Sequence, residues 1–169
     1  MFTVPASNPH LKRTIRPLYA HHQATAWAGF LDPQRDPAVE ILPGTVMARI
    51  NVDDQGGEVF TPYTGTGVPF GLSAFFVAPS LGVDEVTDSG SNTFTVWVGD
   101  GIALFEVLSP AFDAEKVALS DDGSTTLLTG NAQGKLTTDG ATPQNAIAEL
   151  IEASASKITV RPFRPVPTA

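Results

Sequence analysis

The chain has 169 residues, 42% of them hydrophobic, with no cysteine and a formal net charge of -8 at pH 7. That length encloses a core without staples, and the missing thiols exclude a disulfide framework, a thiol nucleophile and any cysteine-ligated metal centre. An acidic surface repels phosphates and argues against general nucleic-acid binding. Apolar runs such as Phe75-Phe76-Val77-Ala78 are far shorter than the roughly 20 residues of a membrane helix, and the basic-then-apolar layout of a secretory signal is missing, so a soluble, unprocessed chain without membrane contact is expected.

Residues 1–38 follow neither the strand nor the helix period, and Pro5, Pro9, Pro17, Pro33 and Pro37 interrupt regular pairing. They read as an extended N-terminal arm. Phe2, Val4, Leu11, Ile15, Leu18, Tyr19, Trp27, Phe30 and Leu31 give this arm too much apolar surface to leave in water, so it must lie on its own body or on another subunit. Charge separates in the same way: residues 1–35 carry a net +3, residues 36–152 a net -14 and residues 153–169 a net +3. The basic ends either fold back on the acidic body or reach an acidic partner.

From Val39 the pattern becomes that of short strands with turn punctuation, spaced as in an all-β sandwich or barrel, and residues 39–161 read as one β-rich domain. Residues 45–52 alternate, with Val46, Ala48, Ile50 and Val52 on one face, buried, and Met47, Arg49 and Asn51 on the other, exposed. Asp53-Asp54-Gln55-Gly56-Gly57 then turns the chain into a partner strand over 58–63. Residues 69–77 are almost continuously apolar, as in a central strand. Residues 93–98, Gly99-Asp100-Gly101 and residues 102–108 read as a hairpin. Thr142 as N-cap, Pro143 at the first helical position, and Ala146, Ile147, Leu150 and Ile151 on one face predict one short helix. Residues 157–161 form a last strand with Ile158 and Val160 inward, and residues 162–169 are a proline-rich tail that cannot continue a ladder. The expected fold is therefore mainly β, barrel- or sandwich-like, with one C-terminal helix and an N-terminal arm.

Motifs for chemistry are scarce. His10, His21 and His22 lie in the arm without cysteine or a carboxylate at ligand spacing, so no metal role is assigned to them; protonation near pH 6.5 would add positive charge to the arm. Gly71-Leu72-Ser73-Ala74-Phe75 lacks the second glycine of a nucleophile elbow, and every histidine precedes the serine. Asn51-Val52-Asp53-Asp54-Gln55-Gly56 resembles a calcium loop but has Pro62 at its twelfth position, so it is read as a turn. The acidic pairs Asp84-Glu85 and Asp121-Asp122 sit in turn contexts, where carboxylates cap and solubilise. No phosphate loop or dinucleotide fingerprint occurs. Trp27, Trp97, Tyr19 and Tyr63 serve either as core and interface residues or as a carbohydrate platform. A binding or structural module without catalytic residues, cofactor or metal is expected.

Ile41-Leu42-Pro43-Gly44-Thr45-Val46-Met47-Ala48, Pro69-Phe70-Gly71-Leu72-Ser73-Ala74 and Val98-Gly99-Asp100-Gly101-Ile102-Ala103-Leu104-Phe105-Glu106-Val107-Leu108 together resemble the layout of the head decoration (capsid cement) proteins of tailed phages, typified by the phage lambda head decoration protein. The resemblance covers residues 39–110, and more weakly 130–160. It implies a compact, mostly β protein that binds the major capsid protein on the exterior of the phage head. A homotrimer at three-fold and quasi-three-fold positions of the expanded shell would clamp it against packaged DNA. It further implies synthesis in the host cytoplasm, no nucleic-acid partner and no catalysis. An arm that orders on the shell by strand addition would put Phe2, Val4, Leu11, Arg13, Ile15, Arg16, Leu18 and Tyr19 against the capsid. The alternatives are another virion component, such as a head-fibre base or tail-tube subunit, and a carbohydrate-binding module.

Overall fold

The computed structural model of the chain describes residues 13–20, 24–52, 57–77 and 94–164. The strands are β1 (Ile15–Tyr19), β2 (Thr25–Leu31), β3 (Val46–Val52), β4 (Glu58–Pro62), β5 (Pro69–Ser73), β6 (Phe94–Val98), β7 (Leu104–Leu108), β8 (Thr126–Gly130), β9 (Leu136–Thr137), β10 (Ala148–Ala153) and β11 (Lys157–Pro162). Five close a barrel in the order β2-β4-β3-β5-β6, and six form a sheet in the order β1-β7-β11-β10-β8-β9. The sheet is antiparallel throughout. The barrel is closed by β2, which pairs antiparallel with β6 and, through Phe30 and Leu31, parallel with β4. The mainly β expectation therefore holds, and the architecture is a barrel joined to a sheet.

Two apolar clusters hold these layers together. Leu31, Ile41, Met47, Phe60, Val77, Phe94 and Val96 fill the barrel. The larger cluster joins Phe105, Val107, Leu150, Ile158 and Val160 of the sheet to Val46, Tyr63 and Leu72 of the barrel strands and their margins. Neighbouring residues on a strand face opposite ways, so Val46 meets the sheet while Met47 enters the barrel, and both are fully buried. The expected split of β3 into one buried and one exposed face fails for this reason. Ile50, expected inside, is 47% exposed at the bulge between Arg49 and Asn51, which resets the alternation.

The segment Leu42-Pro43-Gly44-Thr45 is a turn closed by Thr45 N–H donating to the Leu42 carbonyl (2.9 Å). Gly44 has φ +95°, which suits the third position of a type II turn after proline. The turn sets β3 against β5, because Gly44 N–H and Ser73 N–H each donate across at 2.8 Å.

The expected hairpin of residues 93–108 is corrected by the pairing. β6 lies in the barrel between β2 and β5, whereas β7 lies in the sheet between β1 and β11. Asp100 Oδ1 accepts the N–H groups of Ile102 (2.9 Å) and Ala103 (3.2 Å), and Gly101 N–H donates to the Pro162 carbonyl (2.9 Å). The turn is therefore a corner between layers. At Gly99 any Cβ would fall 2.0 Å from the carbonyl of Pro162, so only glycine lets the corner approach the end of β11.

The expected C-terminal helix is also corrected. Asn145 and Ala146 N–H donate to the Thr142 carbonyl (3.1 and 2.8 Å), and Asn145 Oδ1 accepts Thr142 N–H at 2.7 Å, so the N-cap signal closes a single turn. The chain then enters the sheet: Ile147 N–H donates to Leu128 (2.8 Å), and Phe163 N–H donates to the Ile147 carbonyl (2.9 Å). Residues 148–153 become β10, paired with both β8 and β11. A helix this short is marginal alone, and a strand paired on both sides satisfies the same backbone groups. Ala146, Ala148 and Leu150, at every second position, are buried. The last strand behaves as expected, with Ile158 and Val160 buried and the ladder ending at Pro162.

Within the segment 1–38, β1 and β2 are regular strands of the sheet and the barrel. Pro17 is accommodated because β1 is an edge strand, paired among the described residues with β7 alone.

Candidate functional site

The start of β1 is pinned to the barrel margin by Thr14, which is buried and whose hydroxyl donates to the Pro43 carbonyl. Beyond it the strand shows two faces. Arg16, opposite Glu106 in the ladder, turns outward, and its Nε lies 2.7 Å from Glu106 Oε1 while Lys157 Nζ lies 3.1 Å from Oε2. Hydrogen bonds from Arg16 and then Lys157 hold the Glu106 carboxyl below its ordinary value, against the opposing pull of burial. Further along the same face Arg161 pairs with Glu149 at 3.1 Å.

On the other face, Ile15 packs partly buried against the main core. Between this face and the barrel runs an open groove of about 430 Å³. Arg13, Ile15 and Pro17 line one side, Phe75, Phe76, Thr95 and Trp97 the other, and Phe105 and Pro43 contribute as well. Phe75 is 51% exposed, because Ser73 Oγ donates to the Phe75 carbonyl (2.8 Å) and bends the chain out of the ladder after β5.

Of the residues expected to form the contact surface, Phe2, Val4 and Leu11 lie outside the described residues. Arg13 and Ile15 meet at the groove, whereas Arg16 lies on the opposite face in its ion pair. Leu18 and Tyr19 are 47% and 65% exposed at the end of β1. The wall formed by Phe75, Phe76 and Trp97 was hidden in sequence, where an apolar run reads as continuous central strand; the one signal was Ser73, whose hydroxyl makes the bend.

The other residues of interest have structural partners. Tyr63 is 2% exposed and its hydroxyl donates to the Gly67 carbonyl (3.0 Å). Trp27 meets Phe70 edge-on at 5.5 Å under the guanidinium of Arg164, 5.0 Å from the ring centre, and Trp97 packs on Phe105 at 5.7 Å. Hydrogen bonds from Ser120 and Ser124 draw the Asp122 carboxyl down to about 2, which makes it the cap of its own turn. The three histidines and Asp84-Glu85 lie outside the described residues. Among the described residues no group of three or more His, Cys, Asp or Glu is placed to hold a metal ion.

The described residues thus form a barrel-and-sheet body with β1 at the sheet edge and an open, largely apolar groove beside it. The family model for phage cement proteins matches residues 1–169, and the chain belongs to that family. No curated protein and no solved structure matches it. The family is a structural one, so the chain has a capsid decoration role, binding the major capsid protein on the outside of the virion.

Proposed function

We propose that the protein, made in the host cytoplasm, is added as a homotrimer to three-fold and quasi-three-fold positions of the expanded capsid. There it holds neighbouring capsid subunits together against the outward pressure of packaged DNA. Attachment runs through the segment ending in β1, with Phe2, Val4, Leu11, Arg13, Ile15, Leu18 and Tyr19 as contact residues and Arg16 holding the strand in place. The observation that carries this reading is the character of β1: an edge strand that pairs, among the described residues, with β7 alone, ending in two large apolar residues, Leu18 and Tyr19, that are 47% and 65% exposed. Such residues gain most by leaving water at an interface. Charge supports it further, since Arg13 is exposed and suits an acidic capsid surface, whereas Arg16 is already paired with Glu106 and Arg35 is buried beside Asp32 and Asp36. Each contact is weak, and three linked copies supply avidity.

The test is binding of the full chain, of a chain lacking residues 2–12, and of Leu18→Ser/Tyr19→Ser to expanded, undecorated capsids of the same phage, with mass measured in solution and on the shell. Both altered proteins should stay folded and lose occupancy. Wild-type occupancy by both would overturn the attachment segment, and hexameric rings in solution would favour a tail-tube subunit instead.

A further inference from the structure

Resting on the decoration reading above, we propose that the groove between β1 and the barrel seats a short, extended segment of the major capsid protein that carries a carboxylate opposite Arg13. At about 430 Å³ the groove has the size of a built binding cleft, typically about 300–1,000 Å³. Its lining is largely apolar, with Ile15 and Pro17 of β1 joined by Phe75, Trp97 and Phe105. Phe75 leaves half its surface in water, the condition under which an aromatic becomes an anchor once covered.

Charge selects the occupant. Arg13, exposed at the groove, has no ion-pair partner among the described residues, whereas Arg16 two positions on is committed to Glu106. A lone guanidinium beside apolar walls is matched by a carboxylate on an otherwise apolar segment.

Backbone geometry limits how that segment binds. Leu108 N–H donates to the Thr14 carbonyl (2.7 Å), and Arg16 stands opposite Glu106, so Thr14 and Arg16 direct their polar groups toward β7. Ile15 and Pro17 therefore direct theirs to the side of β1 away from β7, where no other strand pairs among the described residues. Pro17 has no N–H, and the pairing shifts register between Pro17 and Tyr19; both features blunt an edge against long strand addition. An incoming segment finds a donor and an acceptor at Ile15 and only an acceptor at Pro17. Recognition thus falls on side chains entering the groove, and a continuous added strand is disfavoured.

The test places the photo-crosslinker p-benzoylphenylalanine at position 75 of the full chain and irradiates it with expanded, undecorated capsids of the same phage. The adduct should contain the major capsid subunit. In binding assays Phe75→Ser and Arg13→Glu should each weaken affinity about tenfold or more, while Arg13→Lys stays within about threefold. Leu119→Ser, an exposed site outside the groove, should bind as wild type, and melting curves verify that every variant is folded. Adducts only between copies of this chain would make the groove a subunit interface and overturn the proposal, as would wild-type binding by both Phe75→Ser and Arg13→Glu. Failure of the unaltered protein to bind capsids at all would instead remove the decoration reading itself.

Discussion

Arg16 Nε lies 2.7 Å from Glu106 Oε1, and this contact, with Lys157 Nζ 3.1 Å from the other oxygen, makes a carboxylate only 5% exposed the rivet between the edge strand β1, its neighbour β7 and β11. Glu106→Gln keeps the shape and removes the charge. Bonds to charged groups contribute about 1.5–3 kcal/mol, but the two cations are 63% and 57% exposed, and solvent screening reduces the expected loss to about 1 kcal/mol. Urea unfolding measures it.

The same carboxylate sets a pH dependence. Its folded-state pKa lies below the ordinary 4.5, so the unfolded chain takes up the proton first. The contribution is therefore complete above the ordinary value and disappears as pH falls through the folded one. The stability gap between wild type and Glu106→Gln should close on acidification, and β1 amides should lose hydrogen-exchange protection before those of β10. A gap independent of pH would contradict the rivet.

At the corner between the layers, Gly99→Ala should be costly because it forces the corner away from the end of β11. Its Cβ would fall 2.0 Å from the Pro162 carbonyl, and overpacking of this kind costs about 1–3 kcal/mol or more. Calorimetry should show a lowered Tm. An unchanged Tm would mean that the barrel and the sheet do not meet at this corner.

Much of the β architecture was legible in sequence, but its partition into layers was not. Residues 93–108 carry every local mark of a hairpin, yet β6 and β7 part company at Gly99, because the contact that decides it is with Pro162, more than sixty positions away. Thr142 and Pro143 correctly mark a turn, but the run of Ala146, Ile147, Leu150 and Ile151 fits both periods, and β8 and β11, waiting on either side, select the strand. β1 was obscured by Pro17, a residue that interior strands exclude and edges tolerate. For the proposed contact surface, the apolar pair Leu18 and Tyr19 was visible as composition. The groove was not, since Phe75 and Trp97 join Ile15 only through the pairing of two layers.

The two cores share one interface, so they should melt together. Phe60→Ala in the barrel and Leu128→Ala in the sheet both remove fully buried side chains and should cost about 3–5 and 2–5 kcal/mol. Each should lower a single cooperative transition, followed by fluorescence and by far-ultraviolet circular dichroism. Two separated transitions would show the barrel and the sheet to be independent units.

Truncation separates attachment from folding. Removing residues 2–12 leaves Thr14 bound to Pro43 and β1 on β7, so the β1 amides should keep their hydrogen-exchange protection. Removing residues 2–19 also takes the edge strand away and leaves Glu106 without Arg16, and Tm should fall by several degrees with exposure of Val107 and Phe105 to a hydrophobic dye. Equal Tm values for the two truncations would contradict the role of β1 as part of the folded body.

The most direct measurement is co-sedimentation of the purified full chain with expanded, undecorated capsids and, in parallel, with unexpanded proheads of the same phage. The account predicts saturable binding to expanded shells alone, at three copies per three-fold and quasi-three-fold position. Binding to neither particle, or equal binding to both, would contradict it.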